Sequence, residues 1–295
     1  MNTKPVPRTT LPFEIGASRA FAGLTVIPLF PSEPAELEYV GLDEAIAQGL
    51  AVTEIDDAGS VGTLRVKNPL KEPVLLYEGQ ELVGAKQNRI IERTIFVGAG
   101  SALEIPVACV EQGRWAYRSR RFAPAPRGAY PALRRARHFA GALNQSDVWS
   151  DVAAKQARLH SYSPTGAAES LYHDRRTTLD EYVQALPRLD GQSGALVGIA
   201  GELVCLDYVG RSDVFAGLYL KLLRGYTLDA IERPVEKGLR RRAVERFLAA
   251  LRSAERRREP SVALGEAVRI TGAVVGSELT YADEVVGLTA FPVTD

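Results

Sequence analysis

Val74–Val110 reads VLLYEGQELVGAKQNRIIERTIFVGAGSALEIPVACV. Three apolar runs stand out in it: Val74–Tyr77, Ile90–Val97 and Leu103–Val110. Each has strand length rather than helix length, and each is rich in Val and Ile. Gly98-Ala99-Gly100 turns the chain between the last two. Upstream, Leu64–Lys67 is a further strand, followed by a turn at Asn68-Pro69. Leu24–Phe30 is a short apolar run with Pro28 inside it, which predicts an edge or irregular strand. Leu42–Leu50 predicts a short helix with Asp43 and Glu44 at its positive end. Residues 23–111 therefore read as mostly β.

The pattern changes further along the chain. Ala132–Leu143 and Ser146–His160 read as helices, the second capped by Ser146 or Asp147. Thr178–Leu186 and Ser212–Leu223 are helical, and so is Leu228–Arg258, interrupted at Pro234 and Gly238. Gly194–Ala200 and Glu202–Tyr208 flank Gly201 as a small hairpin, and Ser261–Phe291 returns to strand-like runs. This order lacks regular βαβ spacing and predicts an α+β fold. The expected layout is a β-rich N-terminal half packed against a helical C-terminal half with a small hairpin. Residues 1–22 read as an irregular arm and 23–295 as one integrated domain; two lobes split near residue 125 are the alternative.

The chain has 295 residues, 46% apolar and 24% charged, the proportions of a globular protein rather than a disordered, collagenous or coiled-coil one. Cys109 and Cys205 each lie in an apolar run and read as buried thiols. Three scattered histidines and no CxxC pair argue against a zinc site, and no cofactor is evident. MNTKPVPRTT has no apolar signal core, and no apolar stretch reaches the roughly 18 residues of a membrane span. A cytoplasmic protein without a membrane partner is expected.

The formal net charge is +0, but the charge is segregated. Residues 1–60 hold nine acids against three bases, whereas residues 112–146 hold eight arginines and no acid. These are Arg114, Arg118, Arg120, Arg121, Arg127, Arg134, Arg135 and Arg137, interleaved with Trp115, Tyr117, Phe122, Tyr130 and Phe139. Guanidinium groups favour forked contacts to carboxylate or phosphate, and aromatic side chains beside them can stack on bases. A nucleotide-type ligand, a single nucleic-acid strand, or pairing with the acidic N-terminal part would each use such an island. By contrast, the arginines of 240–242 and 256–258 alternate with glutamates on a helical period and read as an exposed, salt-bridged face.

Between the strands, Glu78–Arg93 concentrates Glu78, Glu81, Lys86, Gln87, Asn88 and Arg89 around Gly79 and Gly84, and reads as a polar loop at the rim of a pocket. Gly79-x4-Gly84 before Lys86 imitates a phosphate loop, but Ala85 is extra and Gln87 replaces the Ser or Thr that would hold magnesium. The amides Gln87 and Asn88 beside Lys86 and Arg89 suit a sugar or nucleotide better than a bare anion. Glu78, Glu81 and Glu111 would serve as acid or base if chemistry occurs. Lys86, Arg89, Arg114 and Arg118 would meet phosphate, and Trp115 would stack. No GxSxG or HExxH is present.

EGQELVGAKQNR, IPVACVEQGRW, RSRRF and QSDVW together resemble the prokaryotic, largely uncharacterised family named for association with ADP-ribosylglycohydrolases and rhodanese-phosphatases. The resemblance covers roughly residues 10–235. It carries over Glu78, Gly84, Lys86, Gln87, Asn88, Arg89, Glu111, Arg114 and Trp115 as a shared polar set. The family has Ser where this chain has Ala108. It implies a setting near NAD and ADP-ribose metabolism, without naming a reaction. The leading expectation is thus a pocket for a phosphorylated ribose ligand such as ADP-ribose, NAD or a nucleotide. A non-catalytic scaffold that forms homo-oligomers, and a single-stranded nucleic-acid binder, are the alternatives.

Overall fold

The computed structural model of the chain describes residues 10–141 and 143–293. The fold is α+β, with three sheets among the described residues. The largest has nine strands and joins both ends of the chain. In spatial order it runs β1 (Phe13–Ile15), β3 (Leu24–Pro31), β13 (Gly194–Ile199), β14 (Glu202–Tyr208), β18 (Glu284–Pro292), β17 (Val274–Tyr281), β16 (Glu266–Thr271) and β15 (Glu255–Glu259), with β2 (Arg19–Phe21) also on β3. A six-stranded sheet runs β12 (Phe122–Gly128), β8 (Gln80–Gly84), β9 (Arg89–Ile91), β11 (Ala102–Cys109), β6 (Thr63–Lys67) and β5 (Ala51–Thr53). A small one runs β10 (Ile95–Val97), β7 (Val74–Leu76) and β4 (Val40–Gly41).

Alternation decides how the large sheet is covered. On β13, Ala195, Val197 and Ile199 face one core, shared with Phe215, Leu218 and Leu222 of α6 (Ser212–Ile231). Leu196 faces the opposite core, shared with Val244, Phe247 and Leu251 of α7 (Arg241–Ser253). With both faces buried, both alternate sets are apolar, so the strand reads as an unbroken hydrophobic run. A further core gathers Ile90, Ala108 and Val110 with Leu133 of α2 (Pro131–Ala140), Val148 and Val152 of α3 (Gln145–Arg158), Leu171 of α4 (Glu169–His173) and Leu179 of α5 (Arg176–Ala185). The remaining helix, α1 (Leu42–Ala47), packs beside β4, β7 and β12.

Several sequence expectations change. The C-terminal half is not chiefly helical: β13–β18 supply most of the large sheet, and the expected small hairpin β13–β14 is central in it. Residues 13–21, expected in an irregular arm, form β1 and β2; residues 1–9 of that arm lie outside the described residues. β3 is interior despite Pro28. Its partners β2 and β1 end on either side of that residue, pairing Leu24–Val26 and Leu29–Pro31, and Gly16 donates to the Pro28 carbonyl at 2.8 Å across the gap. Ile90–Val97 is two strands in different sheets, because the chain crosses between them at Glu92–Thr94. Arg256–Arg258 sit in strand β15, not a helix, and Arg256 is buried. The exposed pairs there are cross-strand or next-but-one, Arg258 with Glu266 at 3.2 Å and Arg257 with Glu255 at 2.9 Å, while Arg241–Glu245 is helical at 2.7 Å.

Candidate functional site

The polar run is not a loop on a rim. Residues 80–84 are β8, residues 89–91 are β9, and the turn Ala85–Asn88 between them is buried. Gly84 has φ +116°, and a Cβ there would come within 2.5 Å of Ser119 Oγ and 3.0 Å of the Arg121 carbonyl. Only glycine tolerates both the left-handed backbone and that approach. Gly84 therefore lets segment 112–121 fold down over the turn. A second cover, Asp56–Ser60, closes from the other direction. Its carbonyls of Asp57 and Ala58 accept from Lys86 Nζ at 2.5 and 2.7 Å, and that of Ser60 accepts from Arg89 Nη2 at 3.3 Å.

Glu111 and Arg114 tie these pieces together. Glu111 Oε2 accepts from the Asn88 backbone at 3.1 Å and from Arg114 Nη2 at 2.6 Å, while Oε1 accepts from Thr165 Oγ1 at 3.0 Å and lies 3.7 Å from Arg118. Burial pushes the Glu111 carboxyl up, but the bonds from Arg114, Asn88 and Thr165 outweigh it and hold the pKa below the ordinary value. Arg114 also donates to the carbonyls of Ala85 (2.7 Å), Ala116 (2.9 Å) and Gly84 (3.2 Å). Its guanidinium is thus occupied with backbone. Gln87 accepts from Arg89 Nη1 at 2.9 Å and from the Cys109 thiol at 3.1 Å. Trp115 and Tyr117, both exposed, place their rings 5.1 and 5.2 Å from Lys86 Nζ, and the Trp115 ring is 5.7 Å from the Arg89 guanidinium.

Lys86, Gln87, Asn88, Arg89, Glu111, Arg114 and Trp115 therefore share one locus, with Arg118 at its exposed edge. Glu78 and Glu81 belong to other networks. Glu78 bonds His138 Nε2 at 3.0 Å and Ser277 at 3.1 Å, and lies 3.5 Å from Arg134. Burial pushes its carboxyl up, but His138, Arg134 and Arg137 overcome this and hold its pKa at about 2. A carboxylate held that low is a poor acid or base near neutrality. Glu81 is engaged by Arg127 at 2.7 Å. That guanidinium would be pushed down by burial, but Glu81 and Glu169 push it up.

The arginine island is absorbed mainly by acids outside the N-terminal part. Arg114 pairs with Glu111, Arg127 with Glu81 and Glu169, Arg134 with Asp207 and Glu78, and Arg137 with Glu78. Arg120 does meet an acid of residues 1–60, Asp57 at 3.2 Å on the surface. Because Arg114, Arg127, Arg134 and Arg137 are buried, they are out of reach of a nucleic-acid backbone.

Several partners of these residues come from parts of the chain that no local motif marks. Glu54 is buried and accepts the Lys86 backbone N–H at 3.1 Å. Gln145 brackets Cys109, accepting its N–H and donating to its carbonyl, both at 2.8 Å. Asp207 anchors Arg134. The one readable signal was Asp207 itself, a charged residue inside the apolar run CLDYV. Both cysteines are free and buried. Among the described residues, no group of three His, Cys, Asp or Glu side chains is placed to hold a metal, and no helix is long and apolar enough to cross a membrane. A surface groove of about 480 Å³ between Pro12, Glu33, Tyr208 and Glu284 lies away from these residues.

No curated protein and no solved structure matches the chain. A family model does match, over residues 12–291, which takes in the turn at Lys86, the Glu111–Trp115 segment and nearly all three sheets. The chain belongs to the ARG and Rhodanese-Phosphatase-superfamily-associated Protein domain family.

Proposed function

We propose that the Gly84–Arg89 turn and the Gln112–Arg118 segment form a binding site for a phosphorylated ribose ligand of the ADP-ribose, NAD or nucleotide type. One observation carries this reading. Lys86 and Arg89 are both buried, and neither forms an ion pair with a carboxylate among the described residues. A buried charge without a counter-charge costs several kcal/mol, roughly, unless another group compensates it. A phosphate would supply that compensation, and the exposed Trp115 and Tyr117 rings beside the two cations offer a face for a base.

In this reading Lys86, Arg89 and the exposed Arg118 meet phosphate, and Gln87 and Asn88 address the ribose or base. Arg114 and Glu111 hold the scaffold, since their polar atoms are taken up by the turn and by each other. The irregular stretch Trp115–Arg121 is the cover that opens for the ligand. No chemical step is assigned to the carboxylates.

Calorimetric titration of ADP-ribose, NAD and AMP into the full chain tests the reading. Saturable binding is expected, weakened about ten- to a hundredfold by Trp115→Ala, as for loss of one stacked base. Absence of heat at roughly millimolar ligand, or a Trp115→Ala variant that binds like the parent, would overturn it.

A further inference from the structure

A cavity of about 210 Å³ opens between β12, α4, α5 and the middle of α6. Its wall is apolar where Pro126, Leu179 and the Tyr172 ring line it. Its charged groups are unequally used. Arg176, exposed at the start of α5, forms no ion pair among the described residues. Arg224 is fixed by a 2.6 Å bond from Nη1 to the Pro126 carbonyl, and its one carboxylate contact among the described residues, Asp180, is 3.8 Å away. Arg127 is buried, stacks its guanidinium 5.6 Å from the Tyr172 ring centre, and leaves its Nε–H without an acceptor.

The carboxylates at the rim do not use up this charge. Glu169 lies 3.4 Å from Arg127 and 4.0 Å from Arg118, long contacts beside the 2.7–2.9 Å of a good charge-assisted bond. Counting every carboxylate that touches them among the described residues, the five connected guanidiniums of Arg114, Arg118, Arg127, Arg176 and Arg224 face four acids, Glu81, Glu111, Glu169 and Asp180. One positive charge is left over.

We propose that this cavity is a second ligand site, separate from the Lys86 turn, which takes the phosphate of a small phosphomonoester. Arg127, Arg176 and Arg224 receive the oxyanion, and the body of the ligand lies on Tyr172, Leu179 and Pro126. The size sets the class. Pockets for drug-sized ligands run from roughly 300 Å³ upward, so 210 Å³ holds a phosphate on one ring or a short chain, not a dinucleotide. Arg118 and Glu169 connect the two sites, because Glu111 at the Lys86 turn and Glu169 at this cavity share Arg118.

Phenyl phosphate and inorganic phosphate, titrated into the full chain by calorimetry, are the probes. Phenyl phosphate should bind saturably and more tightly than inorganic phosphate, since only it reaches the apolar wall. The double variant Arg176→Ala/Arg224→Ala changes two side chains at the rim and should weaken phenyl phosphate by more than about tenfold. Lys86→Ala/Trp115→Ala removes any phenyl phosphate held at the Lys86 turn and should leave in place the saturation that depends on Arg176 and Arg224, so failure of the Lys86 site and failure of this one are told apart. The proposal is overturned if phenyl phosphate does not saturate at roughly 10 mM. It is also overturned if Arg176→Ala/Arg224→Ala binds like the parent, or if the signal disappears in Lys86→Ala/Trp115→Ala instead.

Discussion

Two buried polar clusters sit on neighbouring stretches of one strand and turn, and they treat arginine in opposite ways. In the first, Arg134 forks onto Asp207 and reaches Glu78, while Asp207 also accepts from Tyr77 at 2.8 Å, Tyr226 at 2.6 Å and Thr289 at 3.1 Å. Even the backbone makes way: Gly79 has φ +83°, and a Cβ there would strike Arg134 Cδ at 2.6 Å. In the second, Arg89 finds an amide oxygen, a carbonyl and the Trp115 ring, and Lys86 finds carbonyls and ring faces. The first cluster has its counter-charges built in and joins β7, α2 and the large sheet. The second has two buried cations, Lys86 and Arg89, with no carboxylate at ion-pair distance among the described residues; Glu54 and Glu111 act on Arg89 only from farther off. Buried charge by itself does not mark a binding site. Buried charge left without a partner, beside exposed aromatic rings, is the more informative pattern.

The built-in counter-charges of the first cluster make Arg134 the most costly residue to replace. Arg134→Met leaves Asp207 and Glu78 as buried carboxylates facing a hydrophobic side chain. The expected loss is about 3–5 kcal/mol of unfolding free energy, the usual result of removing one partner from a buried pair. Urea denaturation followed by circular dichroism measures it. A loss under about 1 kcal/mol would mean that the Asp207 cluster is not the scaffold described.

Acid titration probes the same cluster from its carboxylate side. The Glu78 carboxyl is held at about 2 when folded, against an ordinary value of 4.5. A folded pKa below the unfolded one stabilises above the unfolded value, and that contribution is lost as pH falls from about 4.5 through 2. The shift corresponds to stability on the order of 3 kcal/mol. Glu78→Gln should therefore be less stable than the parent at pH 7 and converge on it toward pH 2. Denaturation midpoints across that range decide the matter; a constant gap between the two proteins would contradict the assignment.

Why one cluster was half visible in the sequence and the other was not comes down to distance along the chain. Lys86 to Arg89 and Glu111 to Trp115 are short local motifs, and their meeting follows from an antiparallel sheet in which β9 pairs with both β8 and β11. Asp207 and Thr289 lie 73 and 155 residues from Arg134, and although Asp207 stands out as a charge in an apolar run, nothing local pairs either of them with Arg134. β8 was missed because Gln80 and Glu81 are buried polar residues whose partners, the Tyr77 backbone and Arg127, lie off the strand's own pattern. The solvent-facing alternation that betrays a strand is absent there. β1 and β2 are three residues each and too short for any period to show. β15 carries ERRRE, whose alternating charges imitate a helical face although the strand's position at the sheet edge explains them equally well. By contrast, β13 and β14 were legible because both faces of the large sheet are covered, so nearly every residue is apolar.

Arg89→Met should differ from Arg134→Met in what it does to stability. Here the substitution removes a desolvated charge that has no carboxylate partner. It also forfeits hydrogen bonds to Gln87 and Ser60, each worth about 1–3 kcal/mol because the donor is charged. These contributions oppose each other, so the net change in stability should stay within about 1 kcal/mol of zero, while ADP-ribose affinity should fall about tenfold or more. Chemical denaturation and calorimetry on the same preparation read both quantities. A stability loss as large as that of Arg134→Met would show that Arg89 is already compensated, and the two clusters would then be of one kind.

The smallest effect belongs to Arg120, which crosses to Asp57 at 3.2 Å and lies 5.1 Å from the Tyr117 ring centre. Both partners of that ion pair are well exposed, 81% and 93%, so water and salt screen it and Arg120→Ala should change stability by no more than about 0.5 kcal/mol. The pair nevertheless joins the two covers of the Lys86 turn, segment 112–121 and segment 56–60. Loosening it should let ligand on and off faster without altering the buried cations that hold it. Stopped-flow binding should show association and dissociation rates of ADP-ribose rising together in Arg120→Ala, with the equilibrium constant changed less than about threefold. The same variant and the parent should become indistinguishable at roughly 1 M salt, where screening reaches about 3 Å. If the equilibrium affinity falls instead, with the association rate unchanged, Arg120 is itself a ligand contact and the cover is not what controls entry.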